Sequence, residues 1–328
     1  MIPPEKNTIP TNPVTLWTKL MDLRDPRTAD WVTVKDPKYI ILTIGLYLYI
    51  SKIAGPRYMA DRKAYDLRRT IRMYNVFQVV ANMYFCSKIF YHAFIKSGYS
   101  FYCQGLSYAN DYHSMELLNN LYYYLLIRVM DFLDTMFFVL KKKFSHITQL
   151  HVIHHTIVVF SGWQFMTFGA DGQVVLGVCI NSLVHVIMYS YYFLSSLGPE
   201  VQKYLWWKKY LTRIQIFQFF VMLAHTLIPV FAECGYPRVL LMLIIPQVIL
   251  ILGLFVNFYI QSYSKKTYRK DPNVMFSEVN GVADAAVLQT TSDSCNRINN
   301  NEQVKDNNNI DIRPRKTLKM EKQPMKGH

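Results

Sequence analysis

The sequence predicts an all-α integral membrane protein with seven transmembrane helices. Long apolar runs recur along the chain, short connectors separate them, and basic residues are concentrated in alternate connectors. Although the 328 residues include 36 Lys and Arg, 51% are hydrophobic and the mean hydropathy is +0.07. Charge and apolar surface are therefore segregated along the chain, as in a multi-pass membrane protein.

Each apolar run is close to the roughly 20 residues that a helix needs to cross the hydrocarbon core. The first run is the short one, and the third and fourth carry the most polar residues. The predicted spans are 37–55, 71–95, 117–140, 150–169, 173–195, 212–232 and 238–262.

The distribution of charge predicts the orientation of these spans. Basic clusters follow spans one, three, five and seven, whereas the connectors 98–116 and 169–172 contain no Lys or Arg. Basic connectors are expected on the cytosolic side, which places the C-terminus in the cytosol and the N-terminus across the membrane. Topology therefore accounts for the net charge of +14, and we expect no nucleic-acid partner.

Polar segments flank the predicted membrane body, 37–262. Residues 1–36 lack the apolar core of a cleavable signal peptide, so we expect a luminal N-terminal segment and a first span that acts as the insertion signal. The segment 263–328 is rich in Asn and charged residues and almost free of aromatics. Such a segment cannot bury enough apolar surface to fold, so we predict a disordered basic cytosolic tail.

The cysteines suggest one link between connectors. Cys103 and Cys234 fall in two different luminal connectors, where an oxidising environment permits a disulfide between them. Two unpaired thiols are the alternative. Cys86 and Cys179 lie inside predicted spans.

Polar side chains recur at helical spacing inside spans three to six. Such groups are costly in hydrocarbon, so their default interpretation is functional. Arg128 and Asp131 can pair as i,i+3 neighbours, and a span-four histidine is the expected partner of Asp134. The four polar faces are Arg128, Asp131, Asp134 and Thr135; His151, His154, His155 and Val158; Asn181, His185, Met188, Tyr189 and Tyr192; and Thr212, Gln215, Gln218 and His225.

We expect these faces to converge on a polar chamber that opens toward the cytosol. Irregular or polar surface inside a membrane is tolerated where it lines a cavity or is buried in protein. The box His151-Val152-Ile153-His154-His155 lies near the cytosolic end of span four, which sets the side on which the chamber opens. The alternative is that the polar groups only join helices by hydrogen bonds.

The histidines are compatible with two kinds of chemistry. Membrane di-iron enzymes use several histidine boxes, whereas this chain has one box among nine histidines. A single metal held by His151, His155, His185 and Asp134 is a further alternative. Neutral imidazole is also a nucleophile and a base, and Asp134 could orient one of its ring nitrogens.

These motifs resemble the very-long-chain fatty acid elongases, the ELO family, over about residues 20–270. The chain departs from the family pattern Lys-x-x-Glu-x-x-Asp-Thr, because Arg128 and Asp131 occupy the first two positions. The matching segments are the histidine box, Asn181-x-x-x-His185-x-x-Met188-Tyr189-x-Tyr191-Tyr192, Thr212-x-x-Gln215-x-x-Gln218-Phe219, Asp134-Thr135 and Gly55-Pro56-Arg57-Tyr58-Met59.

The resemblance implies an endoplasmic-reticulum protein in which six of the seven helices ring an acyl-chain tunnel. It implies condensation of a long or very-long-chain fatty acyl-CoA with malonyl-CoA, which releases CO2 and CoA and gives a 3-oxoacyl-CoA two carbons longer. This is the first step of fatty acid elongation, and it needs no cofactor or metal beyond the two substrates. Complexes with other elongation-cycle enzymes and association between copies of the chain are both compatible with the resemblance.

Two mechanisms are compatible with this reaction. In the first, His154 attacks the thioester and holds the chain as an acyl-imidazole, His185 and Asn181 stabilise oxyanions, and His151 and His155 orient neighbours or move protons. In the second, a histidine serves only as a base. The expected substrate contacts are Arg128, Asp131, Tyr189, Tyr192, Gln215 and Gln218, with Lys141, Lys142, Lys143, Lys208, Lys209 and Arg213 on the CoA phosphates.

Two other classes of membrane protein share seven spans. A receptor would carry Asp-Arg-Tyr after span three and Asn-Pro-x-x-Tyr in span seven, but the chain reads Leu140-Lys141-Lys142-Lys143 and Val256-Asn257-Phe258-Tyr259. A transporter would need helices broken at the midplane, for which Pro229, Pro246 and Gly253 are weak signals.

Overall fold

A computed structural model describes Met21 and residues 24–264, which include helices and no strand. The predicted tail, apart from 263 and 264, and most of the segment before residue 24 lie outside the described residues. Seven long helices are present in the described part: α1, Lys38–Met59; α2, Arg68–Phe90 with the π-helical extension Tyr91–Lys96; α3, Tyr112–Met130 and Phe132–Leu140; α4, Gln149–Phe168; α5, Val174–Ser195; α6, Lys208–Phe231; and α7, Arg238–Tyr259 with the π-helical extension Ile260–Ser264.

Each predicted span coincides with one of these helices, so the all-α prediction is confirmed. Among the described helices, α1, α5, α6 and α7 are long and apolar enough to cross a membrane. The count of seven spans stays a prediction. The other three long helices contain the polar residues of the interior, which lower their hydropathy without shortening them.

Helix starts differ most from the predicted bounds, because polar first turns carry no hydropathy signal. The helix α3 begins at Tyr112, where the Asp111 side chain accepts hydrogen bonds from the backbone N–H groups of His113 and Ser114. Such a cap satisfies donors that a helix leaves unpaired at its N-terminus. The predicted start at 117 is therefore too late.

Six helices form a closed ring in the order α2, α3, α4, α7, α6, α5, and each packs against its two neighbours in that order. The helix α1 lies outside the ring, against α3 and α4. This arrangement confirms the expectation of six helices around an interior. We call the end of the bundle that carries Lys141 and Lys208 the lysine end, and the opposite end the disulfide end.

The disulfide end is closed by connectors that are tied together. The structure places Cys103 and Cys234 in a disulfide, with their Cα atoms 5.8 Å apart. Nearby, the buried Arg27 forms ion pairs with Asp25 at 2.6 Å and Asp171 at 3.0 Å. Burial disfavours the guanidinium charge, but these carboxylates outweigh it and raise the pKa of Arg27.

Replacement of two glycines of α1 by alanine is expected to change the stability of the protein in opposite directions. A Cβ on Gly55 would lie 2.6 Å from both Ile50 O and Val139 Cγ1, where α1 packs against α3, whereas a Cβ on Gly45 meets nothing within 4 Å. We expect Gly55→Ala to destabilise the protein by about 1–3 kcal/mol through overpacking. The matched Gly45→Ala should stabilise it by roughly 0.5–1 kcal/mol by reducing unfolded-state entropy. Thermal unfolding in detergent measures both, and equal shifts would contradict the packing of α1 on α3.

Candidate active site

A chamber of about 80 Å³ opens inside the ring near the lysine end, and all six ring helices contribute to its wall. The structure therefore brings part of each polar face of α3, α4, α5 and α6 together at this chamber. The predicted site residues that line the chamber are His151, His154, His155, His185, Asp134, Tyr189, Tyr192, Gln215, Gln218 and Lys141.

The histidine box occupies the first turns of α4. Thr148 caps this helix by accepting a hydrogen bond from the backbone N–H of His151, so the box begins at the helix start. A hydrogen bond of 2.7 Å joins His151 Nε2 to Thr135 Oγ1, and the Tyr47 hydroxyl lies 3.0 Å from the same oxygen. The imidazole centroids of His151 and His155 are 4.3 Å apart. The partner at Nε2 fixes the ring orientation of His151.

The side chain of His154 has no hydrogen-bond partner among the residues that the structure describes. It is half-buried and lines the chamber, and aromatic rings flank it. The centroid of its imidazole lies 6.2 Å from the ring of Phe219 and 5.6 Å from the ring of Phe255. Its nitrogens are therefore available to a bound substrate, which is what a nucleophile or a base requires.

A buried ion pair lies behind the chamber. Arg128 Nη1 is 3.0 Å from Asp131 Oδ2, and the Arg128 and Asp131 side chains are only 2% and 4% exposed. Arg128 Nη1 also donates to the His185 ring, 2.6 Å from Nδ1, and Arg128 Nη2 donates to Asn82 Oδ1 at 2.6 Å. Arg128 thus pairs with Asp131 as the i,i+3 spacing predicts, and it holds His185 in place from α3.

The predicted histidine partner for Asp134 is wrong. The hydroxyl of Tyr189 lies 2.7 Å from Asp134 Oδ2 and 3.1 Å from Asp131 Oδ1, so a phenol of α5 bridges the two carboxyl groups. The histidine of the box bonds instead to the next residue, Thr135, which lies on the face toward α4. Within the described residues, no group of three or more His, Cys, Asp or Glu side chains could hold a metal ion.

Polar residues on α2, which were not among the predicted site residues, complete the network. Gln78 Nε2 donates to Asp131 Oδ1 at 2.8 Å and lies 2.9 Å from the Tyr74 hydroxyl, while Asn82 accepts from Arg128. Tyr74, Gln78 and Asn82 recur every four residues, which places them on one helix face. That spacing within a predicted span was the signal that could have identified them.

A second cavity of about 140 Å³ extends from the middle of the ring toward the disulfide end. Its wall is mostly apolar and includes Arg128 and Asn181, so Asn181 does not line the histidine chamber. Asn181 Oδ1 accepts a hydrogen bond from the Tyr124 hydroxyl at 2.7 Å. At the far end, Gln173 Nε2 donates to the backbone oxygen of His225 at 2.8 Å, which joins α5 to α6 across the floor.

Of the predicted phosphate-binding residues, only Lys141 lines the chamber in the part of the chain that is described. Lys142 Nζ donates to the backbone oxygens of Ala60 and Arg62 at 3.0 and 2.9 Å, so it joins connectors instead. Arg213 Nε donates to the Tyr259 hydroxyl at 2.8 Å. The other three predicted phosphate-binding residues, which also lie outside the chamber lining, are Lys143, Lys208 and Lys209.

The lysine end is electropositive around a buried imidazole. Burial, with the charges of Lys143 and Lys208, lowers the pKa of His146 to about 4. His146 is therefore neutral at physiological pH and adds no charge to this surface. The permanent positive charge at this end comes from the lysines and arginines, which suit an anionic ligand.

The chain is similar in sequence to one family of proteins. The family model of the GNS1/SUR4 (ELO) family matches residues 32–271. The chain is 36% identical to mouse very long chain fatty acid elongase 4 over 248 residues, which is 76% of this chain and 79% of the mouse protein. It is 34% identical to the human protein of that name over 267 residues, covering 81% and 83% of the two chains. It is 33% identical to Drosophila melanogaster very long chain fatty acid elongase 7 over 294 residues, covering 87% and 88%.

Proposed function

The chain belongs to the ELO (GNS1/SUR4) family of membrane proteins, and we propose that it is the condensing enzyme of fatty acid elongation. In this proposal it joins a long or very-long-chain fatty acyl-CoA to malonyl-CoA and forms a 3-oxoacyl-CoA two carbons longer. The observation that carries the proposal is the position of His154, which has no hydrogen-bond partner among the described residues. It lies in a histidine-lined chamber that shares Phe219 with the second cavity.

The two cavities match the two parts of an acyl-CoA. The cavity of about 140 Å³ offers an apolar wall for the hydrocarbon chain, and the lysine end offers Lys141 and its basic neighbours for the CoA phosphates. The thioester would then lie at the histidine box between them. In this arrangement Asn181 contacts the first carbons of the acyl chain, since it lines the apolar cavity.

We propose a two-stage reaction at His154. A ring nitrogen attacks the thioester carbonyl, the C–S bond breaks, and the CoA thiolate leaves and takes up a proton. Malonyl-CoA then loses CO2, and the resulting enolate carbon attacks the acyl-imidazole. The C–N bond breaks, the released ring nitrogen takes up a proton from solvent to restore the imidazole, and the 3-oxoacyl-CoA leaves.

His185 is the proposed oxyanion donor at the thioester. Arg128 Nη1 lies 2.6 Å from His185 Nδ1 and 3.0 Å from Nε2, and a guanidinium group can only donate. We assign the nearer nitrogen, Nδ1, as the acceptor and place the proton of the neutral ring on Nε2, from which it would be donated to a developing oxyanion. One such donor can lower the barrier by roughly 3–4 kcal/mol.

We further propose that the protein resides in the endoplasmic-reticulum membrane with its lysine end in the cytosol. The N-terminus would be luminal and the C-terminus cytosolic, in line with the positive-inside distribution of Lys and Arg. Acyl-CoA and malonyl-CoA would enter from the cytosolic side. No cofactor, metal or nucleic acid is needed for the proposed reaction, and association with other cycle enzymes or between copies is compatible with it.

The test uses the purified full-length chain in detergent micelles with labelled malonyl-CoA and acyl-CoAs of graded length. We expect release of labelled 3-oxoacyl-CoA in the absence of reductant, and the preferred chain length follows from the product series. A mock purification from untransfected cells controls for co-purifying elongases. If well-folded protein yields no 3-oxoacyl-CoA with any acyl-CoA, the proposed function is wrong.

A further inference from the structure

Two phenylalanines pack on the imidazole of His154 from neighbouring helices of the ring. Phe219 of α6 and Phe255 of α7 meet the His154 ring at interplanar angles of 75° and 78°, and their own centroids are 5.1 Å apart. Phe219 is 3% and Phe255 is 8% exposed. This pair, which we call the aromatic clamp, therefore fills one side of the imidazole with apolar surface.

Phe219 also marks the junction between the two cavities. Among the described residues it is the one side chain that lines both the histidine chamber and the apolar cavity. An acyl chain that extends from His154 into the apolar cavity must therefore pass this ring. The clamp thus lies where the acyl carbon would be attached and where the hydrocarbon begins.

The proposed acyl-imidazole at this position can be hydrolysed by water. Water that reaches the acyl carbon can add to it, break the C–N bond and release a fatty acid with recovery of the imidazole. This side reaction needs no reagent other than water, and it competes with attack by the enolate. An active site that stores a reactive acyl group must therefore exclude water from it.

The neighbouring polar surface shows what would happen without the clamp. Gln218 lines the chamber beside Phe219, and its buried Oε1 has no hydrogen-bond partner among the described residues. A purely apolar void stays dry, but a void that offers polar partners can hold water. Space opened at Phe219 would enlarge a chamber whose wall already offers this acceptor, and we expect water to enter it next to His154.

We propose that the aromatic clamp shields acylated His154 from water, and that the chain therefore has a latent acyl-CoA hydrolase activity that the clamp suppresses. This inference rests on the proposed function, because it requires the acyl-imidazole. It assigns Phe219 and Phe255 as positioning residues that decide whether the acyl group is transferred to carbon or to water.

The test compares two products of the purified full-length protein: free fatty acid, measured with long-chain acyl-CoA alone, and 3-oxoacyl-CoA, measured with malonyl-CoA added. In Phe219→Ala we expect the ratio of fatty acid to 3-oxoacyl-CoA to rise roughly tenfold or more, which corresponds to about 1.4 kcal/mol of relative barrier. Phe217→Ala is the matched control, since Phe217 is 67% exposed on the same helix and lines neither cavity. It should keep the wild-type ratio.

Two further variants make the outcome decisive. Hydrolysis by Phe219→Ala must disappear when His154→Ala is added, because the fatty acid is expected to come from the acyl-imidazole. Phe219→Leu retains apolar bulk and should give an intermediate ratio even if the alanine variant folds poorly. An unchanged ratio in folded Phe219 variants, or hydrolysis that survives loss of His154, overturns the proposal. Failure of the wild type to condense would instead count against the proposed function.

Discussion

Replacement of His154 by alanine is expected to abolish condensation while the helix bundle stays folded. The imidazole has no hydrogen-bond partner among the described side chains, so its removal leaves no buried polar group unpaired. Its loss removes the nucleophile of the proposed acyl transfer, and we expect the rate to fall by about 10³-fold or more. Thermal unfolding in detergent should change little, which separates a catalytic effect from misfolding.

The same variant distinguishes the two mechanisms. Wild-type protein incubated with labelled acyl-CoA and no malonyl-CoA should carry the label after denaturation, and His154→Ala should not. His113→Ala provides the matched control, because His113 lies at the start of α3, lines neither cavity and should keep both label and activity when replaced. If active wild-type protein carries no label, the covalent mechanism is wrong and a histidine acts only as a base.

The positions of the helices and of the chamber residues could be predicted because they depend on local patterns. Hydropathy located all seven long helices. Helical spacing selected residues that line the interior, but it did not separate those of the histidine chamber from Arg128, Asn181 and His225, which line the second cavity. Both signals survive folding because membrane helices form from contiguous segments with their backbone hydrogen bonds internally satisfied. The ring of six helices came from family resemblance rather than from any single pattern.

The partners of those residues could not be predicted, because they depend on how each helix is rotated against its neighbours. Asp134 meets Tyr189 rather than a histidine, and Thr135, one residue further along, meets His151. A difference of one position on a helix turns a side chain by about 100°, which transfers a contact from one neighbouring helix to another. The spacing of residues along one helix does not determine how that helix is rotated against its neighbours.

The contacts of long basic side chains could not be predicted from the sequence either. Charge and position assigned Lys142 to CoA, but its backbone has a positive φ of 55° and its ammonium group donates to two carbonyl oxygens of the connector between α1 and α2. The flexible stem of a lysine lets the charge reach partners in several directions. Position near the site therefore predicted the chamber contact for Lys141 and not for its neighbour.

Removal of either partner of the buried pair Arg128 and Asp131 should destabilise the protein strongly. Arg128→Met leaves the Asp131 carboxylate without its cation, and Asp131→Leu leaves the guanidinium without its anion, in a site where both side chains are at most 4% exposed. An uncompensated buried charge costs about 3–5 kcal/mol. We expect each single variant to lose that much unfolding free energy, measured by denaturing-detergent titration in mixed micelles.

The double variant shows whether the loss of stability in the single variants comes from the remaining unpaired charge. Replacement of both partners by apolar groups removes the charges together, so the double variant should lose far less than the sum of the two single losses. Activity should not recover with stability, because Arg128 also orients His185. Arg128→Lys with Asp131→Glu restores the family pattern and should keep the ion pair, but a point charge cannot reproduce the forked contact to His185 and Asn82. Additive losses in the double variant would show that Arg128 and Asp131 do not interact.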